Sequence, residues 1–194
     1  MNSKQLTTAK QAIGKLEKLP LRGISRAANM LCIQFGDLLE TDMPYRDENG
    51  SLSKNEKGEL NYKKGLVGEY SLNIQCCFRW IYDDRIILAK DDLYQPSSKI
   101  LSNADFDMDN FYYDTIGNNR MDEIIDTKLT KTDGFLVSSV SVSKIGDIKI
   151  KFANGYLLDV VIDISQAEEC WRFFKSETDE HLVMLGDGLE ETDE

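Results

Sequence analysis

The chain has 194 residues, enough for one domain with a sizeable core, and 41% of them are hydrophobic. Its 34 acidic and 23 basic residues give a net charge of −11, which argues against a nucleic-acid-binding protein because such proteins need a cationic surface. A basic protein partner fits this charge, and solubility alone would also explain it. The sequence has no apolar run of about eighteen residues and no secretory signal pattern, so we expect no membrane span and a cytoplasmic location.

Each cysteine stands in an apolar stretch, and this placement predicts buried free thiols in a reducing compartment: Cys32, Cys76, Cys77 and Cys170. Their spacing does not match a zinc site, and the single histidine, His181, excludes multi-histidine metal sites. We interpret His181 as a strand-edge residue rather than a catalytic one. Because no phosphate loop, dinucleotide fingerprint or hydrolase motif occurs, we expect no cofactor, and a non-catalytic role is favoured.

Apolar residues repeat at helical spacing over residues 4–18, which predicts an N-terminal helix limited by Pro20. A strand is predicted from Met30 to Phe35, with Gly36 ending it. Residues 41–65 combine turn residues with charges of both signs and have few apolar anchors. This composition predicts an insertion that forms a long loop or a mobile hairpin, and a loop of this length is either functional or flexible.

The clearest strand pattern runs from Tyr70 to Tyr82, where the even-numbered residues are apolar or aromatic and the odd-numbered ones are mostly polar. We expect this strand to lie in the middle of the sheet with its even-numbered side chains in the core. Asp83 and Asp84 form the turn that follows, and residues 85–89 return as the partner strand.

A second helix is predicted over residues 119–130, with Asn118 or Asn119 as its N-terminal cap and Gly134 closing it. A β-meander follows over residues 140–162. Its register can be derived from the pattern, because a three-residue loop with Gly155 in the left-handed conformation puts every apolar residue on one face. That register places Ile150 opposite Leu158 and Ile148 opposite Val160.

The sequence Ser165-Gln166-Ala167-Glu168 matches a capping box, which predicts a third helix carrying Cys170, Trp171 and Phe174. A last strand is expected at residues 181–185, followed by an acidic tail from about residue 190. The elements together predict a single α+β domain over residues 1–194. Its mostly antiparallel sheet would carry the N-terminal helix and two later helices packed on one face.

The acidic turn from Asp105 to Asp109 has the spacing that begins a calcium-binding loop. The match fails at Asn110, where the loop needs glycine, and at Ile116, where it needs a bidentate glutamate. An ordinary solvated turn is therefore favoured, and a non-standard cation site is the alternative. No metal site is assigned.

Carboxylates and tyrosines occur together in the predicted loops, a combination typical of protein-binding surfaces. Packing of the tyrosines beneath the loops is the alternative. The paired aspartates on either side of the strand at residues 85–89 are too far apart for acid–base chemistry, so they are turn residues or part of a partner surface. The predicted partner-binding residues are Asp83, Asp84, Asp91, Asp92, Tyr94, Asp105, Asp107, Asp109, Tyr112 and Tyr113.

Three motifs carry a family resemblance: Asp-Asp-Leu-Tyr-Gln-Pro at residues 91–96, Glu-Glu-Cys-Trp-Arg-Phe-Phe at residues 168–174, and His-Leu-Val-Met-Leu-Gly at residues 181–186. With the helix and the meander between them, they resemble a family of small, uncharacterised bacterial proteins over about residues 66–189. Similar proteins are found beside polymorphic toxins, where some act as immunity proteins. The resemblance implies a toxin-neutralising role and assigns no functional residue.

The function predicted from the sequence is a non-catalytic, acidic protein-binding domain with a basic partner, and the resemblance implies an immunity protein. One alternative is a divalent-cation-binding protein or an enzyme that uses the carboxylates of residues 105–109. Another is a small-molecule-binding domain with a pocket between the sheet and the later helices.

Overall fold

The computed structural model describes residues 1–45, 52–178 and 180–190, and within them the α+β fold class is confirmed. The helices are α1 (Ser3–Gly14), α2 (Ser98–Leu101) and α3 (Arg120–Ile124), and α3 continues into a π-helical turn at Ile125–Leu129. The first five strands are β1 (Leu21–Ala27), β2 (Met30–Pro44), β3 (Tyr62–Ile74), β4 (Cys77–Tyr82) and β5 (Arg85–Ala89). The later strands are β6 (Val137–Val142), β7 (Ile148–Phe152), β8 (Leu157–Val161), β9 (Glu169–Lys175), β10 (His181–Leu185) and β11 (Gly188–Leu189).

The strands form two antiparallel sheets rather than one. A six-stranded sheet has the order β1-β2-β3-β9-β10-β11, and a five-stranded sheet has the order β5-β4-β8-β7-β6. Buried side chains of both sheets belong to one hydrophobic core, which includes Ile33, Leu72 and Trp171 from the first sheet and Trp80, Ile150 and Leu158 from the second. Helix α1 packs against β6 and α3 packs against β5, which are the two outer strands of the five-stranded sheet.

The strand predicted from Tyr70 to Tyr82 is divided between the two sheets. It is interrupted at Gln75 and Cys76, whose amides both donate to the carbonyl oxygen of Cys170, at 2.8 and 3.0 Å. The two halves, β3 and β4, each lie between two other strands, as expected for a central position. The alternation continues across the interruption, and the predicted core face is confirmed at Leu72, Ile74, Cys76, Phe78 and Trp80. It is wrong at Tyr82, which is 43% exposed because it stands at the end of β4 beside the turn.

The N-terminal half of the chain differs from the prediction in three places. Helix α1 ends at Gly14 rather than at residue 18. Strand β2 does not stop at Gly36, because the φ of +85° at this glycine allows a bulge, and pairing with β3 resumes at Leu38 opposite Gly68. Strand β1 was not predicted, since its sequence, Leu-Arg-Gly-Ile-Ser-Arg-Ala, alternates poorly.

The segment predicted as an insertion begins and ends in strand structure. Residues 41–44 belong to β2 and residues 62–65 to β3, and these two strands form a hairpin. The predicted mobility of this hairpin stays a prediction. Residues 46–51 lie outside the described residues, as do residues 191–194 of the acidic tail. In the described part of this hairpin, residues 38–44 and 62–68 pair with each other and with no third strand.

The prediction of a helix after the capping box is wrong, because residues 169–175 form strand β9 between β3 and β10. Pairing with β3 on one side and β10 on the other decides the conformation here. In the strand, Trp171 and Phe173 face the core, while Arg172 and Phe174 face outward. The apolar spacing at residues 170–174 fits either structure, so tertiary pairing overrides the local capping signal.

Turns with strong local signals have the predicted structure. Asp83 and Asp84 have φ values of 50° and 55°, the left-handed pair of a two-residue type I′ hairpin turn. The meander register is confirmed, with Ile148 opposite Val160 and Ile150 opposite Leu158. Asn119 caps α3, and the predicted stripe of this helix and its π-helical turn is buried: Met121, Ile124, Ile125 and Leu129.

We predict that Trp80→Ala lowers the free energy of unfolding by about 3–5 kcal/mol, the usual range for a buried large aromatic side chain. Trp80 is fully buried, and its ring lies 5.4 Å from the Phe152 ring and 5.7 Å from the Phe135 ring. The matched control is Tyr82→Ala at the next position of the same alternation. Tyr82 is 43% exposed and stacks on Tyr156, so we expect a loss of no more than about 1.5 kcal/mol.

Urea denaturation of both variants measures these losses. A loss below about 1 kcal/mol for Trp80→Ala would contradict the assignment of the even-numbered face to the core.

Candidate functional site

Between β5 and α3 the chain makes a long excursion whose two ends meet. Pro96 forms a β-bridge with Asn119, the Ser97 amide donates to the Asn118 carbonyl at 2.7 Å, and the Arg120 amide donates to the Gln95 carbonyl at 2.7 Å. Residues 97–118 are therefore a closed loop, which we call the 97–118 loop. Loops of this length in compact domains are commonly functional, and a rigid scaffold positions them.

A buried ion pair between β1 and α3 anchors this loop. The Nε and Nη2 atoms of Arg26 donate to the two carboxylate oxygens of Asp122 at 2.7 and 2.9 Å. Their side chains are 3% and 7% exposed. The Asp122 carboxylate also accepts hydrogen bonds from the Gly117 amide at 2.7 Å and from the Asn119 side chain at 2.9 Å. The end of the loop is thus attached to a fully paired buried charge.

The same arginine also holds residues 113 and 114 of the loop. Its Nη2 atom donates to the carbonyls of Tyr113 and Asp114, at 3.4 and 3.0 Å, and the buried Asn119 side chain donates to the Tyr113 carbonyl at 2.8 Å. Arg26 of β1 therefore binds residues 113, 114 and 122, which lie 87 to 96 positions further along the chain. The loop conformation depends on this network as much as on the loop's own sequence.

A second set of polar contacts connects the start of the excursion to α3. Asp92 accepts a hydrogen bond from the Ala89 amide at 2.9 Å and pairs with Arg120 at 3.1 Å. Glu123 accepts hydrogen bonds from the hydroxyl and the amide of Ser98, the latter at 3.0 Å. These two hydrogen bonds, with a smaller contribution from Arg120, hold the pKa of Glu123 below its ordinary value.

A groove of about 750 Å³ lies between the 97–118 loop and α3. Its apolar walls come from Pro96, Leu101, Phe106, Met108 and Ile124. Its charged lining residues are Asp92, Arg120, Glu123 and Lys128, two acidic and two basic. This volume is in the range of cavities that bury a small molecule or a large side chain.

A smaller hollow of about 350 Å³ shares the lining residue Phe106 with the groove. It is lined by Asp105, Asp107, Phe111 and Tyr112 among others, and its described lining residues include no Lys or Arg. The Phe106 ring packs edge-on against Phe111, with 6.1 Å between the ring centroids. Phe106 lines both hollows, so an apolar site and an acidic site adjoin at one aromatic side chain.

Large apolar side chains are exposed along residues 94–116. Leu101, Met108, Tyr112 and Ile116 are between 54% and 76% exposed, and Tyr94 and Tyr113 are 40% and 37% exposed. Clusters of exposed apolar residues on a folded domain are typical of interaction sites. We call the surface formed by residues 90–118 the loop surface.

Eight of the ten residues predicted to bind a partner lie in the loop surface: Asp91, Asp92, Tyr94, Asp105, Asp107, Asp109, Tyr112 and Tyr113. Asp83 and Asp84 lie apart, at the other end of β5. Asp92 is engaged by Arg120, and Asp107 caps a short 3₁₀ turn by accepting from the Asp109 amide at 3.1 Å. The Tyr94 and Tyr113 rings pack edge-on, 4.9 Å apart, so these two tyrosines are both partly exposed and packed against each other.

Sequence reasoning did not identify the apolar lining of the groove or the arginine that anchors the loop. Leu101, Phe106 and Met108 follow no helical or strand period, so no local pattern marks them as one site. Arg26 is 96 residues from Asp122 along the chain, and no motif connects them.

The described residues contain no group of three or more His, Cys, Asp or Glu side chains placed to hold a metal ion. His181 begins β10, where its ring stacks on Phe174 at 4.5 Å and its Nδ1 lies 3.2 Å from the Arg172 guanidinium. The prediction of buried free thiols is confirmed at Cys76 and Cys170 and wrong at Cys32 and Cys77, which are only partly buried. Burial raises the pKa of Cys170 to about 11 and also raises that of Cys76. Such thiols are poor nucleophiles at neutral pH.

No protein-family model, curated protein or solved structure matches this chain. Among the helices of the described residues, none is long and apolar enough to cross a membrane.

We predict that Asp122→Ala lowers the free energy of unfolding by about 3–5 kcal/mol, because it leaves the Arg26 guanidinium buried without its counterion. The matched control is Asp42→Ala, which removes a carboxylate 3.1 Å from Lys64 in a pair whose side chains are both more than 60% exposed. This exposed pair contributes about 0–1 kcal/mol. Chemical denaturation measures both losses, and similar losses for the two variants would show that the buried pair does not anchor the fold.

We also predict that Ser98→Ala raises the pKa of Glu123 toward its ordinary value, because the variant removes the hydroxyl donor. Carbon-detected NMR titration of the Glu123 carboxyl group measures the change. The stabilising contribution of this contact is present above the pKa of Glu123 in the unfolded chain and is lost as the pH falls through its lower, folded-state pKa. The control is Ser102→Ala in the turn that ends α2, and an unchanged Glu123 pKa in Ser98→Ala would contradict the assigned cause.

Proposed function

We propose that this protein is a non-catalytic protein-binding domain that engages a basic partner through the loop surface. The observation that carries the proposal is the exposure, on one anchored loop, of apolar side chains among carboxylates. Interfaces gain most of their affinity from a few buried aromatic and aliphatic side chains, and charged residues around them select the partner.

The charge of the loop surface supports a basic partner. Residues 90–118 contain six aspartates and two lysines, a net charge of −4 in a chain whose total is −11. Asp91, Asp105, Asp107, Asp109 and Asp114 are all exposed. Carboxylates in such positions attract a cationic protein before contact and increase the association rate, most strongly at low ionic strength.

A toxin-neutralising role is the form of this function that the family resemblance supports. An immunity protein works by stable association, so it needs an exposed and rigidly held recognition surface rather than a reactive group. The hydrogen bonds of Arg26 and Asp122 to residues 113, 114 and 117 hold part of the 97–118 loop in place and support this role.

A small-molecule-binding protein is the second candidate, and the groove of about 750 Å³ favours it. A cation-dependent enzyme would instead need converging carboxylates near residues 105–109. Calorimetric titration with calcium, magnesium and manganese separates the cation-dependent enzyme from the protein-binding domain. Micromolar binding of any of these ions, abolished by Asp107→Asn, would overturn the protein-binding proposal.

The proposal predicts that removing charge from the loop surface slows association with the partner. A partner is first captured from a lysate of the native host with the wild-type chain and identified by mass spectrometry. Association rates are then measured between about 50 and 500 mM salt for the wild type and for Asp105→Asn/Asp109→Asn. Both side chains are exposed, so we expect slower association and a weaker salt dependence with unchanged stability.

The matched control is Asp83→Asn/Asp84→Asn, which removes the same charge at the other end of β5. Asparagine keeps the type I′ turn, since it tolerates the left-handed conformation of these two positions. Equal effects of the two double variants would show that net charge, and not the loop surface, governs association.

A further inference from the structure

We infer that the groove beside α3 binds a small molecule that has an apolar body and a single carboxylate group. The apolar body lies against the apolar walls of the groove, and the carboxylate pairs with the cationic side chains that α3 and its π-helical turn contribute. This inference rests on the second candidate function, small-molecule binding, and names its ligand class. It does not depend on a protein partner for the loop surface.

The carboxylates that line the groove are already engaged by the protein itself. Asp92 accepts hydrogen bonds from the Ala89 amide at 2.9 Å and from the Nε atom of Arg120 at 3.1 Å. Glu123 accepts from the hydroxyl and from the amide of Ser98. A cationic ligand would have to compete with these hydrogen bonds, so the groove does not favour a cation.

The cations that line the groove are less completely engaged. Arg120 donates to Asp92 through its Nε atom, and neither of its Nη atoms has a hydrogen-bond acceptor among the described residues. Lys128 also lines the groove, and its ammonium group forms no ion pair with any residue that the structure describes. The ligand charge that the groove can still pair is therefore negative.

The two acidic lining residues also limit the charge of that anion. Asp92 and Glu123 line the same groove as Arg120 and Lys128, so the four charges balance. A phosphate group carries a charge of about −1.5 to −2 and would be repelled by the two carboxylates. A carboxylate carries a single charge, and its two oxygens can accept two hydrogen bonds from one guanidinium group.

The remainder of the groove selects an apolar body. Its apolar lining residues are Pro96, Leu101, Phe106, Met108 and Ile124. Leu101 and Met108 are 59% and 54% exposed, so a bound ligand would remove their apolar surface from water. In such a site the apolar contacts supply most of the affinity, and the few polar groups fix the orientation of the ligand.

The helix is irregular where it borders the groove. In the π-helical turn at Ile125–Leu129, the Thr130 amide donates to the Ile125 carbonyl at 2.9 Å, five residues back. Such turns are rare and occur frequently at functional sites. Thr127 and Lys128 belong to this turn and line the groove. The ammonium group assigned to the ligand is therefore carried by the kind of turn that often marks a functional site.

Three six-carbon compounds that differ in their head group test the ligand class: hexanoate, 1-hexanol and hexylamine. Each is titrated at pH 7 and constant ionic strength into the full-length ¹⁵N-labelled chain, and amide chemical shifts are followed. We expect hexanoate to shift amides of residues 92–128 with a dissociation constant of about 1–10 mM, as suits so small a ligand. Hexanol and hexylamine should bind at least about fivefold more weakly, because neither supplies an anion.

Variants assign the head group and the body of the ligand to their contacts. Lys128→Gln should weaken hexanoate at least about threefold and leave hexanol unchanged. Lys131→Gln is the matched control, because Lys131 is exposed just beyond the π-helical turn and does not line the groove. Leu101→Ser, at an exposed side chain, should weaken hexanoate and hexanol about equally. Unshifted amides in the two sheets confirm in each case that the fold is intact.

Three outcomes would overturn the inference: equal binding of hexanoate and hexanol, hexanoate binding that Lys128→Gln leaves unchanged, or hexanoate shifts confined to residues outside 92–128. Acetyl-Ala-Leu with a free carboxylate and its amide form a further pair of ligands. Tighter binding of this free peptide than of both its amide and hexanoate would identify a polypeptide C-terminus as the occupant and would also overturn the inference.

The same titrations separate the failure of the ligand class from the failure of the function. If hexanol or hexylamine shifts amides of residues 92–128 as strongly as hexanoate, the groove is a small-molecule site and the carboxylate is wrong. If none of the three causes a shift at about 50 mM, the second candidate function fails with the inference. The protein-binding proposal is tested separately, by the association rates of Asp105→Asn/Asp109→Asn.

Discussion

Where a chain leaves one sheet and enters another, the same alternate side chains must face the core on both sides of the junction. Here the requirement is met at Gln75 and Cys76, where two successive amides share the carbonyl oxygen of Cys170. This bulge turns the chain from β3 into β4 without shifting the parity of the alternation, so Leu72 and Trp80 contribute to one core. Each sheet contains one of the two as an interior strand, so this one stretch of sequence contributes side chains from both sheets to the same core.

The ion pair of Arg26 and Asp122 has a different role. A buried pair gains little net stability over an apolar substitute, because desolvation offsets most of the attraction between its charges. Its value here is geometric, since one planar guanidinium group fixes the Asp122 carboxylate and the carbonyls of Tyr113 and Asp114 at once. The pair therefore holds the last part of the 97–118 loop, at residues 113, 114 and 117, against β1 and α3.

Elements with a local cause were predicted from the sequence, and elements decided by distant partners were not. The turn at Asp83 and Asp84, the cap at Asn119 and the register around Gly155 each depend on a few adjacent residues. Strand β9 was mistaken for a helix because its conformation comes from pairing with β3 and β10. The carboxylates and tyrosines of the loop surface were identified by residue type, whereas its groove is built from three separated segments that share no pattern.

The meeting of Pro96 with Asn119 has a consequence for how such a protein can diverge. Since the ends of the loop are tied to each other and to α3, the residues between them can change in sequence and number while the scaffold keeps its connections. The entropic cost of closing a longer loop grows only logarithmically, by about 0.6 kcal/mol for each doubling of its length. Substitutions, insertions and deletions within residues 97–118 can therefore change the exposed surface of the loop while the two sheets stay the same.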